Sequence, residues 1–172
     1  SDPLRFRQIM DTGQVLIVNL AKGRLGADIT NVLGGLITST LMHAASTRHG
    51  LPESARRPFF LYVDEFPNLT TKSFAGMLSE ARKYGLGLVL ANQHLSQIDT
   101  DVSDAIFGNV GSLVAFRVGA KDAPRLQRMV TPFDAHDLQN QPNYRAAVQV
   151  MCNGERLAPF TALMYPPYRE ME

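Results

Sequence analysis

Two carboxylates, Asp64 and Glu65, stand at the end of the apolar run FFLYV (residues 59–63), which Pro58 and Pro67 bound. A continuous apolar run of this length is typical of a strand that is covered on both faces, as in a parallel sheet. Ligands collect at the carboxyl ends of parallel strands, so the acids are placed to hold a hydrated metal ion or to orient a water molecule. Asp64 could equally open the next loop as a turn or helix-capping residue. The rest of the sequence has to decide between these interpretations.

Polar groups also follow two other strand-like segments. The loop AKGRLGAD carries Lys22 and Arg24, and the segment LGLVLANQ ends in Asn92 and Gln93. A basic loop, an acid pair and an amide at neighbouring strand ends are the groups expected of a phosphoryl-transfer site. The acids suit a magnesium ion and the attacking water, the amide suits the terminal phosphate, and the cations suit phosphate charge.

The positions of these polar groups are set by strands and helices that alternate along the chain. Apolar runs predict strands over 13–20, 59–63, 86–93 and 111–119. Helical spacing of apolar residues predicts helices over 29–49, 73–84 and 121–130, and a loop with a short helix over 96–107. Residues 144–165 alternate around Asn153-Gly154, which predicts a β-hairpin. The pattern indicates a three-layer α/β fold, with a mostly parallel sheet, helices on both faces and the C-terminal hairpin as an antiparallel edge.

The bulk composition fits one globular domain. The chain has 172 residues, of which 45% are hydrophobic and 19% charged, which excludes a disordered chain. We expect a lead-in over 1–12, a core over 13–165 and a tail over 166–172. The formal charge of +1 gives no whole-molecule attraction to nucleic acid, so any such binding requires a local patch or several subunits around a pore. The single Cys152 excludes an intrachain disulfide.

Three segments resemble one family of motor proteins. FFLYVDEFPNL, FAGMLSEARKYGLGLVLANQHLSQI and IFGNVGSLVAFRVGAKDAPRL are similar to the carboxyl-terminal half of the HerA/FtsK-type P-loop ATPases, in particular the coupling ATPases of bacterial conjugation and type IV secretion. The opening DTGQVLIVNLAKGRLGADITNVLGGLI resembles the segment that precedes their second acidic motif. The resemblance implies a RecA-like sheet in a subunit of a ring, expected to be a hexamer, that uses ATP and Mg²⁺ to move DNA through its pore. It also implies a cytoplasmic location at the inner membrane face, with secretion-system or relaxosome proteins as further partners.

The resemblance assigns roles to four residues. LYVDE resembles the Walker B strand, which implies that Asp64 holds magnesium through water and that Glu65 polarises the attacking water. Gln93 falls where the family has a polar sensor. Arg82 matches the family's arginine that reaches into the neighbouring subunit's site, although a cation at a helix end can also simply favour the helix dipole.

Lys22 and Arg24 resemble basic residues of the loop near the phosphates, although they could also lie in a solvated loop. The phosphate loop itself, G-x-x-x-x-G-K-[ST], does not occur in the sequence. By the resemblance it would lie upstream of Ser1, so we expect the chain alone neither to hydrolyse ATP nor to hold nucleotide tightly. In RecA-like sheets the phosphate-loop strand is central, and its absence predicts an open slot between the strands at 86–93 and 111–119. We expect that slot to be closed by re-pairing of the strands or filled by association.

Two functions of different classes remain open. The first is part of an ATP-driven DNA or nucleoprotein translocase that supplies Walker B, sensor and trans-acting arginine. The second is a non-catalytic binding or regulatory module that keeps the motor fold without the phosphate loop. An unrelated acid-pair hydrolase is a weaker third, because the sequence offers no other pairing of a nucleophile with a base.

Overall fold

Helices and strands alternate in the computed structural model, which describes residues 4–69 and 72–166. The helices within these residues are α1 (Phe6–Thr12), α2 (Lys22–Leu25), α3 (Ala27–Ser46), α4 (Lys72–Glu80), α5 (Thr100–Asn109), α6 (Ala123–Leu126) and α7 (Ala135–Gln139). The strands are β1 (Phe59–Val63), β2 (Leu86–Leu90), β3 (Leu113–Ala115), β4 (Arg145–Gln149), β5 (Met151–Cys152), β6 (Glu155–Arg156) and β7 (Phe160–Leu163). Short 3₁₀ turns lie at Thr47–Gly50, Glu53–Ala55, Phe66–Leu69, Ala81–Tyr84 and Leu95–Gln97.

The two strands around the acid pair are parallel neighbours. β1 pairs with β2 in register from Phe59 opposite Leu86 to Val63 opposite Leu90. One further bond, from the Ala91 N–H to the Val63 carbonyl at 2.9 Å, continues the ladder beyond the last strand pair. The structure therefore contains the parallel strand pair that the two apolar runs predict.

The described residues divide into two compact units. The first comprises the residues up to Asn92 together with Gln97–Asn109, and the second comprises Gln93–Ser96 and the residues from Val110 onward. Each unit has its own apolar core. Fully buried side chains of the first core include Met10, Ala45, Phe74 and Ala81. Those of the second include Val130, Leu138, Ala146 and Ala147. The organisation of residues 1–172 as a single domain stays a prediction.

The long helix α3 buries two adjacent glycines. Gly34, Gly35 and Leu41 are buried, while Ile29 and Leu36 are exposed. The helix contacts α1 and α4. Two glycines cost a helix about 1 kcal/mol each relative to alanine, and close helix packing offsets that cost. Close packing therefore explains the Gly-Gly pair.

The strand predicted over 13–20 is wrong. α1 ends at Gly13, whose φ of 70° lies in the left-handed region, and residues 14–21 form neither helix nor strand. Val15 and Ile17 are 88% and 86% exposed. A strand needs a neighbour to pair its backbone groups, and within the described residues none lies beside this segment.

The second unit contains an antiparallel sheet. β4 pairs with β3 on one side and with β7 on the other. Beyond this ladder, β5 and β6 form the tip of the hairpin. Asn153 and Gly154 have φ values of 51° and 85°, as a two-residue type I′ turn requires. The hairpin predicted over 144–165 is present.

The mixed α/β class with parallel pairing is confirmed, and the pairing differs in one respect. β3 covers only part of the strand predicted over 111–119 and pairs antiparallel with β4. Within the described residues only β1–β2 is parallel, and β2 has no second strand neighbour. The helix predicted over 121–130 is reduced to the single turn of α6. Across residues 4–69 and 72–166, no helix is both long enough and apolar enough to cross a membrane.

Candidate functional site

The acid pair lies at the carboxyl edge of the parallel strands. Asp64 and Glu65 follow β1 directly, and the Phe66 N–H beyond them donates to the Ala91 carbonyl at 3.3 Å. The segments that leave β1 and β2 are thus joined at the same edge, and Asn92 comes next in the chain. The first unit therefore brings the acids and one amide-bearing residue to one edge of the sheet.

Asp64 acts as a turn residue and still has a free carboxylate oxygen. Its Oδ1 accepts a hydrogen bond from the Glu65 N–H at 3.0 Å, as expected of an aspartate that opens a loop. In the described part of the chain its second oxygen, Oδ2, accepts no hydrogen bond, and the residue is exposed. An exposed carboxylate oxygen is a suitable partner for a water ligand of Mg²⁺, so the donor set fits a hydrated magnesium ion.

Glu65 has an unusual backbone conformation. Its φ of 50° is in the left-handed region, where an L residue with a side chain costs about 1–2 kcal/mol. The next residue, Phe66, is buried and stacks on Phe74 with ring centroids 6.4 Å apart. The strand on one side and the buried ring on the other hold Glu65 in this conformation. Residues in such conformations concentrate at functional sites.

Arg82 lies at the opposite edge of the same strand pair. It belongs to the turn Ala81–Tyr84, which ends at Gly85 and leads into β2 at its amino end. Because β1 and β2 are parallel and five residues long, about 17 Å of strand separates this edge from the acids. Arg82 is exposed, and its guanidinium makes no hydrogen bond or ion pair to any described residue. Within one subunit, Arg82 and the acid pair are therefore at opposite edges.

Gln93 is part of the second unit and is exposed. Its loop is held by Asp122, whose Oδ2 accepts a hydrogen bond from the Leu95 N–H at 3.1 Å. Asp122 is only 4% exposed, and it is the N-cap residue of the short helix that begins at Ala123, although its side chain makes no capping hydrogen bond there. Sequence reasoning missed this contact because nothing in the local pattern marks Asp122 as buried.

The basic residues near the start of the chain lie in α2. Lys22 is the first residue of this helix, but its side chain lies outside what the structure describes. Arg24 is exposed and makes no hydrogen bond or ion pair to described residues through its side chain. Their contact with phosphates stays a prediction.

A second group of ionisable residues lies in the second unit. The potential ligand atoms of Asp134, His136 and Asp137 are within 4.8 Å of one another. Asp134 accepts a hydrogen bond from the Asp137 N–H at 2.8 Å, and Asp137 accepts one from the Asp134 N–H at 3.0 Å. This reciprocal pair is a capping box at the start of α7. Helix capping thus accounts for the two acids without a metal ion.

Comparison with known proteins finds a matching family for the central part of the chain. Residues 58–129 match the family described as the TraM recognition site of TraD and TraG. The matched region begins just before β1 and includes the acid pair, Arg82 and Gln93.

Solved structures of one conjugative protein are similar in fold. The plasmid coupling protein TrwB in complex with the GTP analogue GDPNP matches with a TM-score of 0.59 and 22% identity, over 78% of this chain and 37% of that one. TrwB in complex with ADP and Mg²⁺ matches with a TM-score of 0.60 and 21% identity, over 82% of this chain and 39% of that one. The resemblance to conjugative coupling proteins, expected from the sequence, is confirmed.

The chain spans less than two fifths of the length of these TrwB structures. No curated protein sequence matches it significantly.

Proposed function

We propose that the chain is part of an ATP-driven DNA or nucleoprotein translocase of the conjugative coupling type, acting in conjugation or type IV secretion. The observation that carries the proposal is the parallel strand pair, with Asp64 and Glu65 at its carboxyl edge and Arg82 at its amino edge. The similarity in fold to TrwB supports it. In this proposal the chain supplies the Walker B acids, the sensor and an arginine for a neighbouring subunit.

In this proposal the two acids have different roles at the nucleotide. Asp64 holds the water shell of Mg²⁺ through its remaining carboxylate oxygen, and Glu65 accepts a hydrogen bond from the attacking water and polarises it. Gln93 contacts the terminal phosphate, and Lys22 and Arg24 balance phosphate charge. Bound ATP with Mg²⁺ supplies the phosphoryl group and neutralises part of its charge. One TrwB structure was solved with ADP and Mg²⁺, which favours an adenine nucleotide with Mg²⁺ here.

Arg82 serves the site of the adjacent subunit. Its position at the edge opposite to Asp64 and Glu65 favours a contact with a nucleotide other than the one held by those acids. In a ring, the amino edge of one subunit can face the carboxyl edge of the next, and the exposed guanidinium can then reach the neighbour's phosphates. An arginine supplied in this way stabilises the charge of the transition state, and it accelerates phosphoryl transfer by about 10³–10⁵-fold in other systems.

The partners follow from the same assignment. We propose a homo-oligomeric ring, expected to be a hexamer, with DNA in its pore, located at the cytoplasmic face of the inner membrane. The family match, whose description names recognition of TraM by TraD and TraG, favours an additional protein partner of the relaxosome or secretion system.

The first test is ATP hydrolysis by the 172-residue chain, alone and mixed with a separately made segment that bears a phosphate loop. We expect magnesium-dependent turnover only in the mixture. Glu65→Gln should abolish that turnover while nucleotide binding is kept, and Glu53→Gln, which changes an exposed acid in a distant 3₁₀ turn, should leave it unchanged. Steady turnover by the chain alone would refute the split site.

A non-catalytic docking module is the second candidate, and the TraM-recognition match favours it. In that case the mixture would remain inactive and Glu65→Gln would have no effect on partner binding. Turnover in the mixture supports the motor, whereas an inactive mixture whose chain still binds purified relaxosome protein in a pull-down supports the docking module.

A further inference from the structure

The turn that carries Arg82 is held by two arginines from a distant part of the chain. Arg48, in the 3₁₀ turn after α3, is completely buried, and its Nη1 donates to the Tyr84 carbonyl at 3.2 Å. Arg56 donates through Nη1 to the Lys83 carbonyl. Both acceptors lie within two residues of Arg82.

Four consecutive carbonyl groups of this segment have hydrogen-bond donors. The Gly85 N–H donates to the Arg82 carbonyl at 3.1 Å, and the Phe59 N–H donates to the Gly85 carbonyl at 2.9 Å. The two guanidinium groups satisfy the carbonyls of Lys83 and Tyr84 between them. The last carbonyls of a helical turn normally lack intrahelical partners, so this degree of satisfaction fixes the backbone. Arg82 itself keeps an exposed side chain, so a rigid backbone presents a free guanidinium.

Arg48 is in turn anchored on its other side. Its Nε donates to Asp11 Oδ1 at 3.0 Å, Nη2 lies 2.9 Å from the same oxygen, and Nη1 also donates to the Arg57 carbonyl at 2.9 Å. Arg56 is anchored by the Leu51 carbonyl, which accepts from its Nε at 3.0 Å and its Nη2 at 2.7 Å. A planar guanidinium with several fixed donors can bridge such acceptors, whereas a lysine ammonium cannot reproduce the fork.

We propose that Arg48 and Arg56 are positioning residues that fix the Arg82 backbone for insertion into the neighbouring subunit's site. This inference rests on the proposed trans role of Arg82. Its physical basis is that catalysis by a positioned group depends steeply on geometry, and a displacement of about 1 Å can cost about 10²-fold in rate. The alternative is that the two arginines only cap a turn, in which case their loss lowers stability and leaves the chemistry unchanged.

The test measures ATP hydrolysis by rings of the full-length protein that carry either Arg48→Lys or Arg56→Met. Arg56 is half-buried, so Arg56→Met keeps the proposal testable if Arg48→Lys fails to fold. Arg57→Met is the matched control, because the exposed Arg57 side chain donates to the Thr12 carbonyl and not to the Arg82 turn. We expect Arg48→Lys and Arg56→Met to lower kcat about 10- to 100-fold with KM changed less than about twofold. Arg57→Met should leave both unchanged.

Mixed rings separate positioning from a general structural role. Glu65→Gln subunits have an inactive site of their own but an intact Arg82, so mixing them with Arg48→Lys or Arg56→Met subunits should restore activity above the average of the separate rings. Arg82→Ala subunits should be rescued in the same way. Rescue of Arg82→Ala but not of the two positioning variants would overturn the positioning role alone. Absence of rescue for Arg82→Ala would overturn the trans role and the positioning role with it.

Amide hydrogen exchange provides a readout that does not need activity. Exchange at Gly85 and Phe59, whose N–H groups bond the same segment, should be faster in Arg48→Lys and Arg56→Met than in wild type and Arg57→Met. Unchanged exchange at both amides would overturn the positioning role.

Discussion

Replacing Glu65 by glycine and by alanine separates its backbone conformation from its carboxylate. Both variants lack the carboxylate and every side-chain atom beyond Cβ, so they differ only in the Cβ itself. At the φ of 50° observed for Glu65, a Cβ costs about 1–2 kcal/mol. Glycine avoids this cost but gives the unfolded chain about 0.5–1 kcal/mol more conformational entropy. We therefore expect Glu65→Gly to be more stable than Glu65→Ala by about 0.5–1 kcal/mol.

Urea unfolding of the two variants measures this difference directly. For a chain of this size, about 1 kcal/mol corresponds to about 2–4 °C in Tm, so thermal unfolding gives a second readout. The sign is diagnostic, because at an ordinary backbone position glycine is the less stable of the two. Glu53, an exposed residue in a 3₁₀ turn without a positive φ, is the matched site at which Glu53→Gly should be less stable than Glu53→Ala.

The result that refutes the reasoning is equal stability of the two Glu65 variants, or greater stability of Glu65→Ala. Either would mean that the backbone at this position stores no strain. Suppose instead that Glu65→Gly is the more stable variant and that both variants are inactive in the phosphate-loop mixture. The backbone strain at Glu65 then lowers the stability of the fold, and the carboxylate that it places is needed for activity.

Two further predictions concern the first unit. Phe74→Ala should lower the free energy of unfolding by about 3–5 kcal/mol, because the ring is 1% exposed, and a loss below about 1 kcal/mol in urea unfolding would contradict the packing described here. The second concerns Asp11. Partial burial raises the pKa of Asp11, but the hydrogen bond from Arg7 and the charges of Arg48 and Arg7 outweigh it and hold the pKa below its usual value. The carboxylate therefore contributes stability that is fully present above about pH 4 and is lost as the pH falls through the lowered folded-state pKa. Thermal unfolding between about pH 2 and 7 should show a smaller fall of Tm on acidification for Asp11→Asn than for wild type and for Asp28→Asn. If Tm falls equally with pH in all three proteins, Asp11 does not contribute the pH-dependent stability.

Local sequence patterns were sufficient to predict the strands and the turn that carry the two acids and Arg82. The apolar run over 59–63 and the next run from Leu86 form β1 and β2 as predicted. The expected cover on both faces of β1 is wrong, because Phe60 and Tyr62 are exposed. Gly85 ends its turn in the left-handed conformation, as glycine after a helix predicts. The Asn-Gly dipeptide predicts the hairpin turn for the same conformational reason.

Features that depend on distant partners could not be predicted. Residues 13–20 have a strand-like composition, but a strand forms only where another strand pairs with it. The φ of Glu65 is imposed by β1 before it and the buried Phe66 after it, not by its own residue type. Arg48 falls near the end of the helix predicted over 29–49, and no local signal marks it as buried. Its burial depends on acceptors contributed by Asp11, Arg57 and Tyr84.

The nature of the acceptors around Arg48 and Arg56 has a consequence for ionic strength. Apart from Asp11, the atoms that bind these two guanidinium groups are neutral backbone carbonyls, which do not titrate and which mobile counterions screen far less than exposed ion pairs. Nucleic-acid binding, in contrast, weakens steeply as added salt competes for the phosphates. The presentation of Arg82 should therefore persist in concentrated salt. In the proposed motor, a fall of activity with added salt would then point to contacts other than this turn, such as those to DNA phosphates.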